Sequence, residues 1–187
     1  MEVFVIRHTP VAVGKDTCYG QTDVPLAHTF LQDILHYKTQ LPIGFDAVFC
    51  SPLQRCKDLA MALNCQNIVY EPALMEMNFG DWELKKWNNI NPNDLDIWMQ
   101  DFVNTKTPNG ENLQDLFSRM QFFLDNLRLQ PYKKVLIITH AGTIRCMWAY
   151  LLAIPLHNIF KIPVGFNEIF AFTITQNPNF DGIRQMK

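Results

Sequence analysis

The 187-residue chain has no marked excess of either charge, because sixteen Lys and Arg residues stand against eighteen Asp and Glu residues, giving a net charge of −2 at pH 7. Nucleic acids and anionic membrane surfaces select strongly basic faces, and this balance does not supply one. We therefore expect no nucleic-acid partner and no membrane partner. Any anion that this protein binds must be met by local charges.

The chain also has no long apolar run near its start. Val3 to Ile6 is only four residues long before Arg7 and His8 follow. A run this short is neither the apolar region of a signal peptide nor a membrane span. We therefore predict a cytoplasmic protein.

Cysteine and histidine patterns typical of metal sites or disulfides are absent. The five cysteines form an odd set without a C-x-x-C pair, which argues against a disulfide framework and a thiolate zinc site. No two histidines have H-x-x-x-H spacing, and we predict no metal and no cofactor. We interpret the cysteines as reduced packing residues, and His28, His36 and His157 as surface or capping residues.

No repeat, low-complexity tract or Gly/Ser-rich linker divides the chain, so we predict one domain over residues 1–187. Short apolar runs alternate with segments of helical periodicity, which is typical of an α/β fold. The predicted strands are Val3 to Ile6, Ala47 to Cys50, Ile68 to Tyr70, Val135 to Thr139 and Ile169 to Ile174.

Three segments place apolar residues at three- and four-residue steps, and each predicts a helix with one apolar stripe packed on the sheet. The stripes are Phe30, Leu31, Ile34, Leu35 and Leu41; Leu113, Leu116, Phe117, Met120, Phe123, Leu124 and Leu127; and Ile144, Met147, Trp148, Leu151 and Leu152. Pro155 closes the third helix, because proline cannot continue a helix interior.

Between Pro72 and Pro108 the periodicity weakens into a polar stretch rich in Trp and Asn. We predict a long loop and a short helix that carries Leu95, Trp98 and Phe102. Excursions of this length in compact domains usually serve function, so we expect residues 72–108 to lie over the active site.

The segment Ser51 to Gln54 has the pattern of a helix start. Ser51 fits the N-cap position, Pro52 the first helical position and Gln54 the third, which predicts a capping box. Arg55 then falls in the first turn, where the positive end of the helix dipole disfavours a cation. An anion bound nearby would interact favourably with both the helix dipole and Arg55, so Arg55 indicates an anion site.

Two predicted strands each end in a histidine. The first strand runs into Arg7 and His8, and the strand Val135 to Thr139 runs into His140. Ligand sites of open α/β sheets form at the carboxyl ends of the strands. We expect both imidazoles, Arg7 and Arg55 to converge there in a phosphate pocket.

Five blocks in order along the chain resemble the motifs of the histidine phosphatase superfamily. They are Arg7-His8, Ser51 to Arg55, Leu74 to Glu83, Gly110-Glu111 and His140 to Arg145. An Arg-His pair alone is a weak signal, whereas five ordered blocks are specific. The resemblance covers essentially the whole chain and implies a phosphoglycerate mutase-like fold, a three-layer α/β/α sandwich with a mostly parallel sheet.

The resemblance also implies the chemistry of a phosphomonoesterase. His8 would attack phosphorus and become a phosphohistidine, which water then cleaves. Arg7, Arg55 and His140 would donate hydrogen bonds to the phosphate oxygens. Glu76 would be the general acid and then the general base, provided that burial or the phosphate charge holds its proton.

This sequence departs from the family pattern after the Arg-His pair. Thr9, Val11 and Gly14 stand where most members have Gly, Thr and Asn, so two expected phosphate contacts are missing. Thr9 itself or backbone N–H groups of the next loop are candidate replacements. We also count Ala141, at the start of the following helix, among the substrate-binding residues.

The segment Cys18 to Leu26 resembles the corresponding segment of α-ribazole phosphatases and implies α-ribazole 5′-phosphate, an intermediate of cobalamin nucleotide-loop assembly, as the substrate. Gln21 and Thr22 could donate to phosphate from this turn. Glu83 and Glu111 are expected to play supporting roles, and Arg145 to form a supporting salt bridge.

Three alternatives stay open. The first is a phosphatase for another small phosphomonoester, such as a sugar phosphate or phosphoserine. The second, a phosphoglycerate mutase, is disfavoured because little chain is left over for a closed lid. The third is a phosphate-binding module without turnover. The sequence also leaves a homodimer open.

Overall fold

The computed structural model describes residues 1–184, and the last three residues of the predicted domain lie outside this range. Its centre is a six-stranded sheet in the order β3-β2-β4-β1-β5-β6. The strands are β1 (Glu2–Arg7), β2 (Ala47–Cys50), β3 (Ile68–Tyr70), β4 (Lys134–Thr139), β5 (Ile169–Thr173) and β6 (Gly182–Arg184). The sequence did not predict β6.

Four neighbouring strands of the sheet, β3, β2, β4 and β1, are parallel, whereas β5 pairs antiparallel with β1, and β6 pairs antiparallel with β5. The parallel strands end at one edge, so Arg7 pairs in register with Thr139. The predicted mostly parallel sheet is confirmed, and its register brings His8 and His140 to the same edge.

Helices cover both faces of the sheet. They are α1 (Phe30–Gln40), α2 (Gln54–Ala62), α3 (Pro92–Gln100), α4 (Leu113–Leu127) and α5 (Ala141–Leu152). Alternate residues of β1 face opposite ways: Val3 and Val5 join the core with α4 and α5, while Phe4 and Ile6 join the core with α1 and α2. The predicted three-layer α/β/α sandwich is confirmed. Within residues 1–184, no helix is long and apolar enough to cross a membrane.

The predicted stripe of α1 is partly wrong. Leu31 and Leu35 are 73% and 64% exposed, while Ile34 and Tyr37 supply the buried contacts of this helix. Periodicity locates the apolar side of a helix, but the width of the face that the sheet covers depends on how the helix is oriented on it.

The predicted capping box at Ser51 is also wrong. Helix α2 begins at Gln54 after the extended residue Leu53, without a side-chain cap. The backbone N–H of Gln54 instead donates to Asp23 at 2.9 Å, from a distant loop. Arg55 nevertheless lies in the first turn, as predicted.

The excursion 72–108 contains three short 3-10 turns, at 72–74, 80–82 and 87–89, followed by α3. Asn91 caps α3, with its side chain accepting from the N–H of Asn93 at 2.9 Å. Leu95 and Trp98 lie in α3 as predicted, but Phe102 lies beyond its end. The aromatic rings of this excursion pack on one another and form part of the wall described below.

Candidate active site

The two predicted histidines meet at the carboxyl edge of the sheet. The backbone N–H of His8 donates to the carbonyl of Thr139 at 2.9 Å, so the ladder of β1 and β4 continues to the histidine itself. The ring centroids of His8 and His140 are 5.1 Å apart. Both imidazoles are buried, and they share the site with Arg7 and Arg55.

The hydrogen bond of the His8 ring fixes its tautomer. Nδ1 lies 2.7 Å from the carbonyl oxygen of Thr9. A carbonyl only accepts, so Nδ1 carries the proton and Nε2 keeps its lone pair. His8 therefore presents an unprotonated nitrogen of the kind that can attack phosphorus.

The His140 ring is held by a hydroxyl. Its Nε2 is 2.8 Å from Ser51 Oγ and 3.5 Å from Cys56 Sγ. Since the N–H of Leu53 donates weakly to Ser51 Oγ at 3.4 Å, the Ser51 proton is free to bond His140 Nε2. His140 Nδ1 then carries its proton as an available donor. Ser51 thus orients a histidine instead of capping α2.

Burial lowers the pKa of both histidines well below the ordinary value of 6.5. Arg55 and Arg7 add to this effect at His8, and Arg55 and His8 do so at His140, because nearby positive charge disfavours a second cation. Both rings are therefore neutral near pH 7, the form that the nucleophile requires.

Stability should fall as the pH drops below 6.5. The unfolded chain takes up a proton on each of these two histidines before the folded chain does, so the free energy of unfolding decreases in that window. We expect a loss of about 1 kcal/mol per pH unit for each histidine. Urea unfolding at about pH 7, 6 and 5.5 measures it.

Two variants make this prediction specific. His140→Gln should flatten the pH dependence, since one of the two titrating groups is gone. The matched control is His157→Gln, because His157 is exposed. An identical slope for wild type and His140→Gln would contradict the assignment.

Buried donors without protein partners surround the histidines. Within residues 1–184, Arg7 Nε, Arg55 Nε, Thr9 Oγ1 and His140 Nδ1 have no hydrogen-bond partner. Buried polar groups are rarely left unsatisfied in native proteins, so each such group requires an explanation. Arg7, His8 and Arg55 line one cavity, so an oxyanion bound there would lie beside both guanidinium groups.

Both arginines are aimed by contacts that the sequence did not reveal. Arg55 donates to the carbonyls of Gly20 and Thr22, the latter at 3.2 Å. The Arg7 guanidinium donates to the carbonyl of Val164 at 3.3 Å and lies 3.7 Å from the ring centre of Phe166, a cation–π contact. Val164 and Phe166 come from the loop before β5, whose position no local pattern predicts.

The Glu76 carboxylate lies against the first turn of α5. It accepts from the N–H of Met77 and from the N–H of Gly142, both at 2.9 Å. A Cβ on Gly142 would come within 2.2 Å of Glu76 Oε1, so glycine is needed for this approach. The first turn of α5 therefore holds the Glu76 carboxyl group in the cavity that His8 also lines.

Arg119, which no sequence motif indicated, holds the Glu76 loop. From α4 it donates to the carbonyls of Ala73 and Met75 at 2.7 Å and of Glu76 at 2.9 Å. Glu111 pairs with Arg119 at 3.1 Å, which gives Glu111 the predicted supporting position. Arg119 is the single basic residue of α4, and this was the available signal.

The segment that carries Gln21 and Thr22 is fixed by Glu83. The Glu83 carboxylate accepts from the N–H groups of Gly20 and Gln21 at 2.9 Å and of Thr22 at 3.1 Å. Burial opposes ionisation of Glu83, but these hydrogen bonds outweigh it and lower its pKa. The Gln21 amide donates to the Glu76 carbonyl at 2.9 Å. Phosphate binding by Gln21 and Thr22 stays a prediction.

The remaining predicted residues are placed as follows. Thr9 is fully buried beside His8, Ala141 lines the cavity, and Val11 forms an isolated antiparallel bridge with Leu26. Gly14 accepts a hydrogen bond from the N–H of Thr17 at 2.9 Å. Arg145 forms no salt bridge within residues 1–184, so that expectation is wrong.

The cavity has a polar floor and an aromatic wall. Arg7, His8, Arg55 and Glu76 lie along its lining, as does Arg145. We use the term aromatic wall for the six aromatic residues that line the cavity, Tyr19, Phe79, Trp87, Trp98, Phe102 and Phe160. Across the described part of the chain, no cluster of three or more His, Cys, Asp or Glu side chains could hold a metal ion.

The family model of the histidine phosphatase superfamily (branch 1) matches residues 3–179. The chain belongs to the histidine phosphatase superfamily. Membership confirms the family that the five sequence blocks indicated, and the site described above is the region of this histidine phosphatase where those blocks meet.

Relatives of this histidine phosphatase differ in their names. The adenosylcobalamin/alpha-ribazole phosphatase of Escherichia coli K12 is 29% identical over 164 residues, covering 83% of this chain and 81% of the relative. The probable phosphoglycerate mutase GpmB of Yersinia enterocolitica is 28% identical, covering 84% and 77%. The crystal structure of the alpha-ribazole phosphatase from Shigella flexneri superposes with a TM-score of 0.90 at 26% identity, covering 100% and 96%.

Proposed function

We propose that this protein hydrolyses α-ribazole 5′-phosphate, a phosphate monoester, through a phosphohistidine formed on His8. The observation that carries the proposal is the set of unpartnered buried donors beside an unprotonated nitrogen. His8 Nε2 is free to attack, while Arg7, Arg55, Thr9 and His140 each hold a buried donor without a partner within residues 1–184. A phosphoryl group would satisfy these donors and lie against the nucleophile.

The first step forms the phosphoenzyme. The lone pair of His8 Nε2 attacks phosphorus, and the bond from phosphorus to the ester oxygen breaks. The departing oxygen takes a proton from the Glu76 carboxyl group, which leaves Glu76 as a carboxylate. Arg7, Arg55 and His140 stabilise the charge on the transferred oxygens, and this electrostatic work is most of what phosphoryl transfer requires.

The second step releases phosphate. Glu76 accepts a proton from water, the water oxygen bonds to phosphorus, and the bond from phosphorus to His8 Nε2 breaks. The products are inorganic phosphate and the free enzyme, with Glu76 protonated again.

The aromatic side chains of the cavity wall support a substrate with an aromatic base. α-Ribazole 5′-phosphate carries a flat aromatic ring system on its ribose, and Trp87, Phe79 and Phe102 offer ring surfaces in the same cavity as His8. Relatives named as alpha-ribazole phosphatases, including one with a TM-score of 0.90, support the same choice.

A panel of phosphate monoesters tests the substrate. We expect kcat/KM for α-ribazole 5′-phosphate to exceed that for ribose 5-phosphate and phosphoserine by at least about 100-fold, because two apolar contacts of the base, each worth roughly tenfold, already give this ratio. Release of inorganic phosphate is the readout, with 3-phosphoglycerate included to detect mutase activity.

Other outcomes of the panel would replace the proposal. A preference for ribose 5-phosphate or phosphoserine would assign another small phosphomonoester. Interconversion of phosphoglycerates would assign a mutase. Binding of vanadate without turnover of any ester would assign a non-catalytic phosphate-binding module.

A further inference from the structure

Arg145 lies in the cavity but has no part in the proposed reaction. Helix α5 starts directly after His140, and Ala141, Gly142 and Arg145 all line the cavity from its first turns. Positions three and four residues apart share one face of a helix. Helical side chains lean towards the N-terminus, so Arg145 reaches back towards the sheet edge.

The guanidinium of Arg145 is held at one end and open at the other. Its Nε donates to the carbonyl of Ile162 at 2.9 Å, and its central carbon lies 5.8 Å from the ring centre of Phe160. Among residues 1–184, its two terminal nitrogens have no hydrogen-bond acceptor, and no carboxylate lies within salt-bridge distance. The side chain is thus oriented while four N–H donors stay free.

The side chains around the terminal N–H groups of Arg145 are largely apolar. The apolar side chains that line the same cavity include Phe102, Leu113, Leu116 and Phe160. Burial lowers the pKa of Arg145, although a guanidinium stays charged in any protein. A half-buried cation among apolar side chains is stabilised when a ligand supplies acceptor oxygens.

The phosphate itself already has its donors. Arg7, Arg55 and His140 each hold a buried, unpartnered donor beside His8. Arg145 forms no hydrogen bond with those residues: its Nε bonds the Ile162 carbonyl, its guanidinium lies near Phe160, and the charges of Glu76 and Arg7 both act on it. The free end of Arg145 is therefore available to the group that carries the phosphate.

We propose that Arg145 is a specificity-determining residue, whose terminal N–H groups donate to an oxygen of the group that carries the phosphate. The inference rests on the proposed function, because it requires a phosphate seated at His8. It predicts selection for carriers with hydroxyl or carboxylate oxygens over carriers that lack an acceptor. Both oxygen types fit a guanidinium fork, and the substrates below distinguish them.

The test compares three esters in Arg145→Met, Arg145→Lys and wild type. Ribose 5-phosphate carries hydroxyl groups, phosphoserine carries a carboxylate, and phenyl phosphate carries no acceptor beyond its ester oxygen. We expect Arg145→Met to lower kcat/KM at least tenfold for one or both acceptor-bearing esters and less than twofold for phenyl phosphate. Arg145→Lys should restore part of the loss, because its ammonium still donates.

Arg184→Met is the matched control, since it removes an arginine on β6, outside the cavity lining. An equal fall for all three esters in Arg145→Met would show action on the phosphate or on Glu76 and overturn the inference alone. Unchanged values for all three would also overturn it alone. Wild-type protein without activity on these three esters and on α-ribazole 5′-phosphate would overturn the proposed function, and the inference with it.

Discussion

Replacing His8 with Ala should reduce phosphate-ester hydrolysis by at least about 1,000-fold, because the attacking nitrogen is lost while phosphate binding remains. The ring has its proton on Nδ1, held by the Thr9 carbonyl at 2.7 Å, so no other atom of this residue can replace Nε2. The measurement is kcat for p-nitrophenyl phosphate, with circular dichroism to verify folding. His8→Gln, which keeps more of the buried volume, guards against collapse of the site.

Chemical trapping gives the same prediction an independent readout. Rapid acid-free quenching of wild type with labelled ester should leave label on His8 as a phosphoramidate, which is stable in base and lost in acid. His8→Gln should leave none, whereas the exposed control His157→Ala should behave as wild type. Label on any residue other than His8 would refute the nucleophile assignment.

Replacing Glu76 with Gln should separate the two chemical steps. For alkyl phosphates such as ribose 5-phosphate we expect kcat to fall about 100- to 10,000-fold, since the departing alkoxide needs a proton. Nitrophenolate leaves without one, so the first turnover of p-nitrophenyl phosphate should fall less than about tenfold. Later turnovers should be slow, because no carboxylate then activates water. The expected time course of Glu76→Gln is a burst of nitrophenol followed by slow steady-state release.

The matched control for this variant is Glu2→Gln, at the opposite end of β1 from His8. Glu76→Gln retains one oxygen for the N–H groups of Met77 and Gly142, and circular dichroism checks that the loop and helix persist. Equal losses in the first turnover of both esters, without a burst, would show that Glu76 only positions the site. His140 or another group would then have to supply the proton.

The sequence determined most of the elements and the sheet edge at which the candidate site lies. Apolar runs that end in Arg7-His8 and in His140 predict strands whose carboxyl ends carry histidines, and parallel pairing then brings them together. This inference succeeds because strand periodicity and the order of motifs are local properties. The same locality explains the error at α1, where the pattern indicates an apolar side but not how much of it the sheet covers.

Only the tertiary structure decided which partner each polar group takes. Ser51 fits a helix cap by sequence, yet its hydroxyl lies 2.8 Å from His140, because α2 starts later and β2 ends beside β4. Arg119 and Phe166, which hold Glu76 and Arg7, are 43 and 159 residues from the groups that they position. Contacts between such distant residues depend on how helices and loops pack on the sheet. The sequence alone therefore predicted the candidate reacting groups, whereas the packed fold oriented them.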